Sequence, residues 1–242
     1  MRKTPHTALV LSTYISILVF GLLSNLAQAG FMNSLKKASA QAAEEISKVT
    51  KTAESNVHNT ISMDDALDQQ ADIGRSVTNS LMYLAEAQFL MADAVGLREE
   101  ALIAQSNAEA LAAGEVSGEA DLEQRLSTSA ELTQAIATKM EAGTTLDDEG
   151  REKFKAAIPP YTMGTTTMVL SAKMAAASAR AITSSGDPMI ITRIAEIKYL
   201  ITFGKAAPEL ISSFRSANQL IISFSQANGI DTSELESEIE NW

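Results

Sequence analysis

The sequence predicts an all-α protein, an elongated bundle of five to seven helices with a long N-terminal helical hairpin. First, 45% of the residues are hydrophobic but only 5% are aromatic. The core is therefore built from Ala, Leu, Ile, Val and Met, which is typical of packed helices. Second, apolar residues recur at steps of three, four and seven over most of the chain, as expected for one face of a helix. Third, 242 residues are enough to bury a sizeable core.

The first 29 residues have the pattern of a secretory signal peptide. Arg2 and Lys3 give a positive start, an uncharged and mainly apolar run covers 8–26, and the Ala-Gln-Ala triplet at 27–29 matches a cleavage site. Cleavage after Ala29 gives a periplasmic or secreted protein. The alternative is an uncleaved membrane anchor, because about 19 apolar residues are enough to span a bilayer.

A helical bundle domain is predicted over residues 30–229. Its first helix falls within 31–60, where five apolar residues form one amphipathic stripe. They are Leu35, Ala42, Ile46, Val49 and Ala53. The second helix starts at a capping box formed by Ser62 and Asp65. Its apolar residues repeat with a heptad-like spacing typical of a coiled coil, and at Gly96 it either continues or breaks.

The long hairpin is predicted over residues 63–143. Gly114 and Gly118 favour a turn that reverses the chain, because glycine readily leaves a helix. The third helix follows this turn and ends at Gly143, where a C-terminal cap is expected.

Prolines and small residues mark the next part of the bundle. A short helix capped by Thr145 and Asp148 is predicted to end at Pro159 and Pro160, since neither proline donates a backbone hydrogen bond. The segment 161–184 is predicted as a helix whose rows of Ser and Ala allow neighbouring helices to approach closely.

Two further helices complete the predicted bundle. One starts at Pro188 and ends at Gly204, and the other starts at Pro208 and ends at Gly229. The first of them is expected to bury an edge of isoleucines, namely Ile190, Ile194, Ile197 and Ile201.

The acidic segment 230–242 is predicted as a C-terminal tail helix. Ser233 and Glu236 have the spacing of a capping box. Three apolar residues share one face of this helix and are the candidate interaction residues: Leu235, Ile239 and Trp242. They either enter a groove on another protein or fold back onto the bundle.

The charge is unevenly distributed along the chain. The net charge is −11, which argues against nucleic acid and anionic lipid surfaces as partners. Residues 64–150 carry −14, from 4 basic and 18 acidic side chains, whereas 151–229 carry +5, from 9 basic and 4 acidic ones. The favoured interpretation is an acidic hairpin packed beside a basic half in one bundle, and the alternative is complementary contacts between protomers.

The residues offer little for catalysis or for a cofactor. There is no cysteine, which excludes disulfides, thiol nucleophiles and zinc–thiolate sites. After the signal the only histidine is His58, four residues beyond Glu54, and a di-iron bundle site needs a second histidine. Asp64, Asp68 and Asp72 share a helix face, where they offset the helix dipole more readily than they bind a cation. We therefore expect no cofactor, no metal and no enzymatic activity.

Three functions remain open. The leading hypothesis is an exported, non-enzymatic protein that acts through protein contacts in the cell envelope, as a scaffold, accessory subunit or chaperone-like binder. Its partner is another envelope or secreted protein, or a second copy. The first alternative is a carrier of a lipid or other apolar ligand in a helical cavity lined by Met, Ile and Phe. The second is a secreted membrane-inserting toxin, suggested by the uncharged segment 156–172.

Overall fold

The fold is all-α, as the sequence predicts. The computed structural model describes residues 61–115, 118–185, 188–240 and 242, and within these ranges it contains helices but no strands. The elements are α1 (Met63–Ala94), α2 (Arg98–Ala112), α3 (Glu119–Glu141), α4 (Asp148–Ser185), α5 (Pro188–Thr192), a 3-10 helix (Ile194–Ile197), α6 (Lys198–Ala227) and α7 (Ser233–Glu240). The predicted signal peptide and first helix lie outside the described residues.

Helix α1 is the centre of the bundle. Every residue from 81 to 92 is buried, because α2, α3, α4 and α6 all pack against this helix. The predicted capping box at its start is confirmed. The Asp65 amide donates to Ser62 Oγ at 3.1 Å and the Ser62 amide donates to Asp65 Oδ2 at 3.2 Å, so two amides that the helix leaves unpaired are bonded.

Helices α1 and α4 pack antiparallel along most of their length. Ser80 Oγ donates to the Gly164 carbonyl at 2.7 Å. About three turns nearer the start of α1, Ser178 Oγ donates to Gln69 Oε1 at 2.5 Å. The start of α1 therefore lies beside the end of α4. We call this the proximal end of the bundle, and the opposite end, which holds the turn at 95–97, the distal end.

Small residues let α6 approach α4 closely, as the sequence predicts. A Cβ atom on Gly204 would lie 2.3 Å from the Ala175 carbonyl oxygen and 2.9 Å from the Ala179 Cβ. Nearer the distal end, Tyr161 donates to Asn218 across the same pair of helices. These contacts show that α6 is antiparallel to α4 and parallel to α1.

The long N-terminal hairpin is divided by a break at Gly96. This glycine has a φ of 81°, a left-handed conformation that favours glycine, and the Leu97 amide donates to the Ala92 carbonyl at 2.7 Å. Helix α2 consequently folds back on α1 and buries Ala101, Ala104, Ala108 and Leu111. Residues 63–143 thus form three helices rather than two long ones.

The predicted end of a helix at Pro159 and Pro160 is wrong, because α4 continues through both prolines. Two carbonyls lose their helical donors there, those of Lys155 and Ala156, and both residues are exposed. Water can therefore donate to these carbonyls in place of the missing amides, which lowers the cost of proline inside the helix.

The start of α4 also differs from the prediction. Asp147 Oδ1 accepts a hydrogen bond from the Gly150 amide at 2.7 Å, so Asp147 caps the helix instead of Thr145.

Helix α6 likewise does not stop where the sequence predicts. It continues through Gly204 and Pro208 to Ala227. Gly204 serves close packing against α4 instead of ending a helix. The predicted stop at Gly229 is confirmed, with a φ of 70° two residues after the last helical residue.

The acidic and basic halves of the chain pack together in one bundle, as favoured from the sequence. Helix α1 has its largest contact with α4, and Lys153 of α4 is bonded to Asp93 of α1. Burial lowers the pKa of Lys153, but the hydrogen bonds to Asp93 and Glu149 outweigh burial and raise it overall. The pair is only 16% exposed on each side, so it is screened less than a surface ion pair.

Candidate interaction surface

The connection between α4 and α6 exposes a group of apolar side chains. Met189 is 56% exposed, Ile191 is 65% exposed and Ile194 is 49% exposed. Ile190 and Ile197 from the same connection are buried and anchor it to the core. We call Met189, Ile191 and Ile194 the apolar end surface.

The exposure of these side chains follows from the local sequence. Residues 189–191 are three consecutive apolar residues on a helix of five residues, and consecutive positions on a helix point in different directions. Because the side chain of Ile190 packs into the core, the side chain of Ile191 is exposed to solvent. The chain then passes through Arg193 into the 3-10 helix, which turns Ile194 outward as well.

Hydrogen bonds hold the connection in a defined conformation on α1. Gln70 Nε2 donates to the Glu196 carbonyl at 2.9 Å, and Gln70 Oε1 accepts from the Leu200 amide at 3.1 Å. Arg193 binds Glu196 through two hydrogen bonds of 2.7 Å each. The surface is therefore presented by a fixed part of the fold.

Charges near the surface are mixed, with carboxylates on α1. The hydrogen bond to Glu196 raises the pKa of Arg193, with a smaller contribution from the charge of Asp64, and the same bond lowers the pKa of Glu196. Asp64 and Asp68 are exposed on the first turns of α1. The apolar end surface thus lies at the proximal end, beside exposed carboxylates of α1.

The predicted isoleucine edge is correct for Ile190, Ile197 and Ile201, which are buried, and wrong for Ile194. A single regular helix would place these residues on one face. The structure instead has a helical turn, a bend and a 3-10 helix, so the direction of Ile194 changes. The sequence signal for an exposed surface was the run Met-Ile-Ile at 189–191, which one helix edge cannot bury completely.

The three predicted tail residues lie against the bundle near the distal half of α6. Leu235 is fully buried, whereas Ile239 and Trp242 are partly buried against the core. Arg215 Nη2 of α6 donates to the Trp242 carbonyl at 3.0 Å. The tail is thus folded back in this structure and is not next to the apolar end surface. Binding of a partner by these residues stays a prediction.

The cap of the tail helix lies one residue before the predicted one. The Glu236 amide donates to the Thr232 carbonyl at 2.9 Å, and Thr232 Oγ1 donates to Glu236 Oε1 at 2.6 Å. The Ser233 amide is bonded to Asp231 Oδ1 at 3.0 Å, which lowers the pKa of Asp231. Thr232 therefore takes the position predicted for Ser233.

The described residues contain no cluster of three or more side chains suited to a metal ion. Of the acidic residues at the start of α1, Asp65 belongs to the capping box, where the hydrogen bonds from Ser62 lower its pKa. Asp72 is bonded to Arg75. His58 and Glu54, which are not expected to form a metal site, lie outside the described residues.

Two buried hydrogen bonds join pairs of helices in the core. Gln88 Nε2 donates to Ser129 Oγ at 2.8 Å and joins α1 to α3. Tyr161 donates to Asn218 Oδ1 at 2.5 Å, and burial raises the pKa of Tyr161 well above its ordinary value. These bonds fix how the helices pack, since a buried polar group needs a partner in a specific place.

No described helix has the length and apolar character needed to cross a membrane. The segment 156–172, considered above for membrane insertion, forms part of α4, and its Tyr161 and Met168 are buried in the core. Met91 and Met140 are also core residues. A ligand cavity lined by methionines stays a prediction.

Comparisons of the chain with protein families, with curated proteins and with solved structures gave no significant match.

Proposed function

We propose that this is an exported, non-enzymatic protein of the cell envelope and that its apolar end surface binds another envelope or secreted protein. The observation that carries the proposal is the exposure of Met189, Ile191 and Ile194 within six residues, on a connection anchored by Gln70. Grouped apolar side chains on a fixed surface are typical of protein interaction sites. Export is inferred from the signal-like pattern of residues 1–29.

The surrounding charge favours a protein over a membrane as the partner. Carboxylates of Asp64 and Asp68 lie on the α1 turns at the same end of the bundle, and the whole chain is acidic. Anionic lipid headgroups would be repelled by these groups. A partner helix with an apolar stripe and flanking Lys or Arg side chains would be complementary to both features.

The size of the surface sets the expected affinity. Full burial of one such side chain contributes roughly 1.5–3 kcal/mol. Because each of the three is already about half buried, covering all of them contributes roughly 3 kcal/mol. A complex with a millimolar Kd already requires about 4 kcal/mol. The partner therefore makes additional contacts, for which the α1 carboxylates are available, or the complex is transient.

A double substitution tests the proposal. The full chain carrying Ile191→Ser and Ile194→Ser is compared with the unaltered chain for capture of proteins from an envelope extract, quantified by mass spectrometry. The matched control is Leu102→Ser with Ile103→Ser, because these residues on α2 are also exposed, by 57% and 49%, but lie toward the distal end.

We expect at least one captured protein to be lost in the first variant and retained in the control, while both variants keep their helical circular dichroism. Exposed positions contribute little to stability, so neither variant should unfold. Identical capture by the two variants would show that the apolar end surface is not the binding site.

A further inference from the structure

Methionines are the side chains that a peroxide oxidises most readily here, because the chain has no cysteine. The oxidant must reach the sulfur atom, so burial in the core protects a methionine. Of the methionines that the structure describes, Met189 is the most exposed, at 56%, and Met163 follows at 38%. The others are buried or packed against the core, namely Met63, Met82, Met91, Met140, Met168 and Met174.

Met189 belongs to the apolar end surface, together with Ile191 and Ile194. Its backbone is held in place by two hydrogen bonds. The Arg193 amide donates to the Met189 carbonyl at 3.1 Å, and Thr192 Oγ1 donates to the same oxygen at 3.0 Å. A chemical change confined to the Met189 side chain therefore alters the surface and leaves the conformation of the connection intact.

We propose that Met189 is a site of reversible oxidation, and that conversion of its thioether to the sulfoxide by a peroxide weakens binding at the apolar end surface. The sulfur forms a bond to one oxygen of hydrogen peroxide while the O–O bond breaks, and the other oxygen leaves as water. The sulfur loses two electrons, and the peroxide gains them. A methionine sulfoxide reductase reverses the change with a dithiol, which becomes a disulfide while the sulfoxide oxygen leaves as water.

The sulfoxide makes one part of the apolar end surface polar. Its oxygen accepts hydrogen bonds from water, and a partner that packs apolar side chains on the surface must remove that water. Burying a polar group without a hydrogen-bond partner weakens a complex about tenfold. The inference rests on the proposed function, because it needs a partner at this surface. Export of the chain, as proposed above, would place Met189 in a more oxidising compartment than the cytosol.

Two substitutions by leucine test the proposal, because leucine is close to methionine in volume and has no sulfur to oxidise. They are Met189→Leu and, as the matched control, Met163→Leu. Met163 is also exposed, but it lies 22 residues before Ser185, the last residue of α4, about 33 Å away along the helix. The unaltered chain and both variants are treated with hydrogen peroxide, which is removed before they capture proteins from an envelope extract.

Peptide mass spectrometry gives the sulfoxide fraction at each methionine, and capture is scored for the proteins that need Ile191 and Ile194. We expect sulfoxide to form several times faster at Met189 than at the buried Met91. Peroxide should lower capture about tenfold for the unaltered chain and for Met163→Leu, and leave capture by Met189→Leu unchanged. Untreated Met189→Gln, which carries a polar oxygen without oxidation, should capture as weakly as the oxidised chain.

Two results would overturn the proposal. One is equal formation of sulfoxide at Met189 and Met91, which would mean that exposure does not select the site. The other is a loss of capture by peroxide-treated Met189→Leu as large as the loss by the treated, unaltered chain. Circular dichroism of each treated sample is recorded as well, so that unfolding by the oxidant is not mistaken for weaker binding.

Failure of this inference is distinguishable from failure of the proposed function. If Ile191→Ser with Ile194→Ser abolishes capture but complete oxidation of Met189 does not lower it, the surface binds a partner and its methionine does not control binding. If those serines leave capture unchanged, the proposed function fails, and this inference fails with it whatever the sulfoxide yield at Met189.

Discussion

At the scale of single residues, Gly204 has the closest neighbour of the glycines that the structure describes. Its missing side chain lets α6 touch the α4 backbone at Ala175. Because that neighbour is a carbonyl oxygen, it cannot rotate away from an added methyl group. We expect Gly204→Ala to lower the free energy of unfolding by roughly 1–3 kcal/mol, the usual cost of overpacking, as measured by urea denaturation.

Gly74 provides the control for this prediction. It lies inside α1, and a Cβ atom there would have no neighbour within 4 Å. Since alanine is a better helix former than glycine, Gly74→Ala should raise the free energy of unfolding by about 0.5–1 kcal/mol. If Gly204→Ala also raised the free energy of unfolding, the close approach of α6 to α4 would be wrong.

The buried pair of Tyr161 and Asn218 gives a prediction about pH. Tyr161→Phe removes the hydroxyl that donates to Asn218 Oδ1 and leaves that oxygen without its donor, which costs roughly 1–3 kcal/mol. Because burial raises the pKa of Tyr161 in the folded state, the unfolded chain loses this proton first. The contribution of Tyr161 to stability is complete below about pH 10 and is lost as the pH rises above it.

The measurement is the free energy of unfolding between pH 8 and pH 11, about the ordinary pKa of tyrosine, for the unaltered chain and for Tyr161→Phe. Their difference should shrink above pH 10, by at most about 1.4 kcal/mol per pH unit. A constant difference over this range would mean that the Tyr161 hydroxyl is not buried as described.

At the scale of helices, the sequence predicts which face of a helix is buried better than it predicts the residue at which the helix ends. The capping box at Ser62 and the glycine stop at Gly229 are confirmed, because each is decided by a few neighbouring atoms. The stops expected at Pro159 and Gly204 are wrong, because each depends on tertiary surroundings. The carbonyls that lose their donors at Pro159 and Pro160 belong to exposed residues, and α4 packs on Gly204. A single sequence does not reveal either environment.

The tail helix α7 is part of the folded bundle, which changes the expected effect of altering it. Leu235 is fully buried, so Leu235→Ala should cost about 2–5 kcal/mol. The exposed neighbour Glu234 is the control, and Glu234→Ala should change stability by less than about 0.5 kcal/mol. Trp242 is the single tryptophan, so its fluorescence reports the tail specifically.

We expect tryptophan fluorescence and circular dichroism to change together during urea denaturation, because the tail and the bundle unfold as one unit. A fluorescence transition at clearly lower urea than the helical transition would show that the tail detaches first. That result would support the interpretation in which Leu235, Ile239 and Trp242 enter a groove on another protein.

At the scale of the whole molecule, composition and periodicity are enough to predict the all-α bundle. The uneven charge along the chain favours, but does not fix, the packing of its acidic half beside its basic half. The apolar end surface is not predicted, because the periodicity assigns Ile194 to a buried edge. Its exposure depends on the bend at Arg193 and on the bonds from Gln70, which lies more than a hundred residues away in sequence. Contacts between residues so far apart in sequence produce no pattern in the sequence near Ile194.

The central claim is that the protein acts through its apolar end surface. The most direct test is to place a photoactivatable amino acid at position 191, and in a parallel variant at position 102, in cells that export the protein. Light should then produce a discrete heavier species with another envelope or secreted protein from position 191 and not from position 102. Equal products from both positions, or no product from position 191 in cells where position 102 gives one, would contradict the claim.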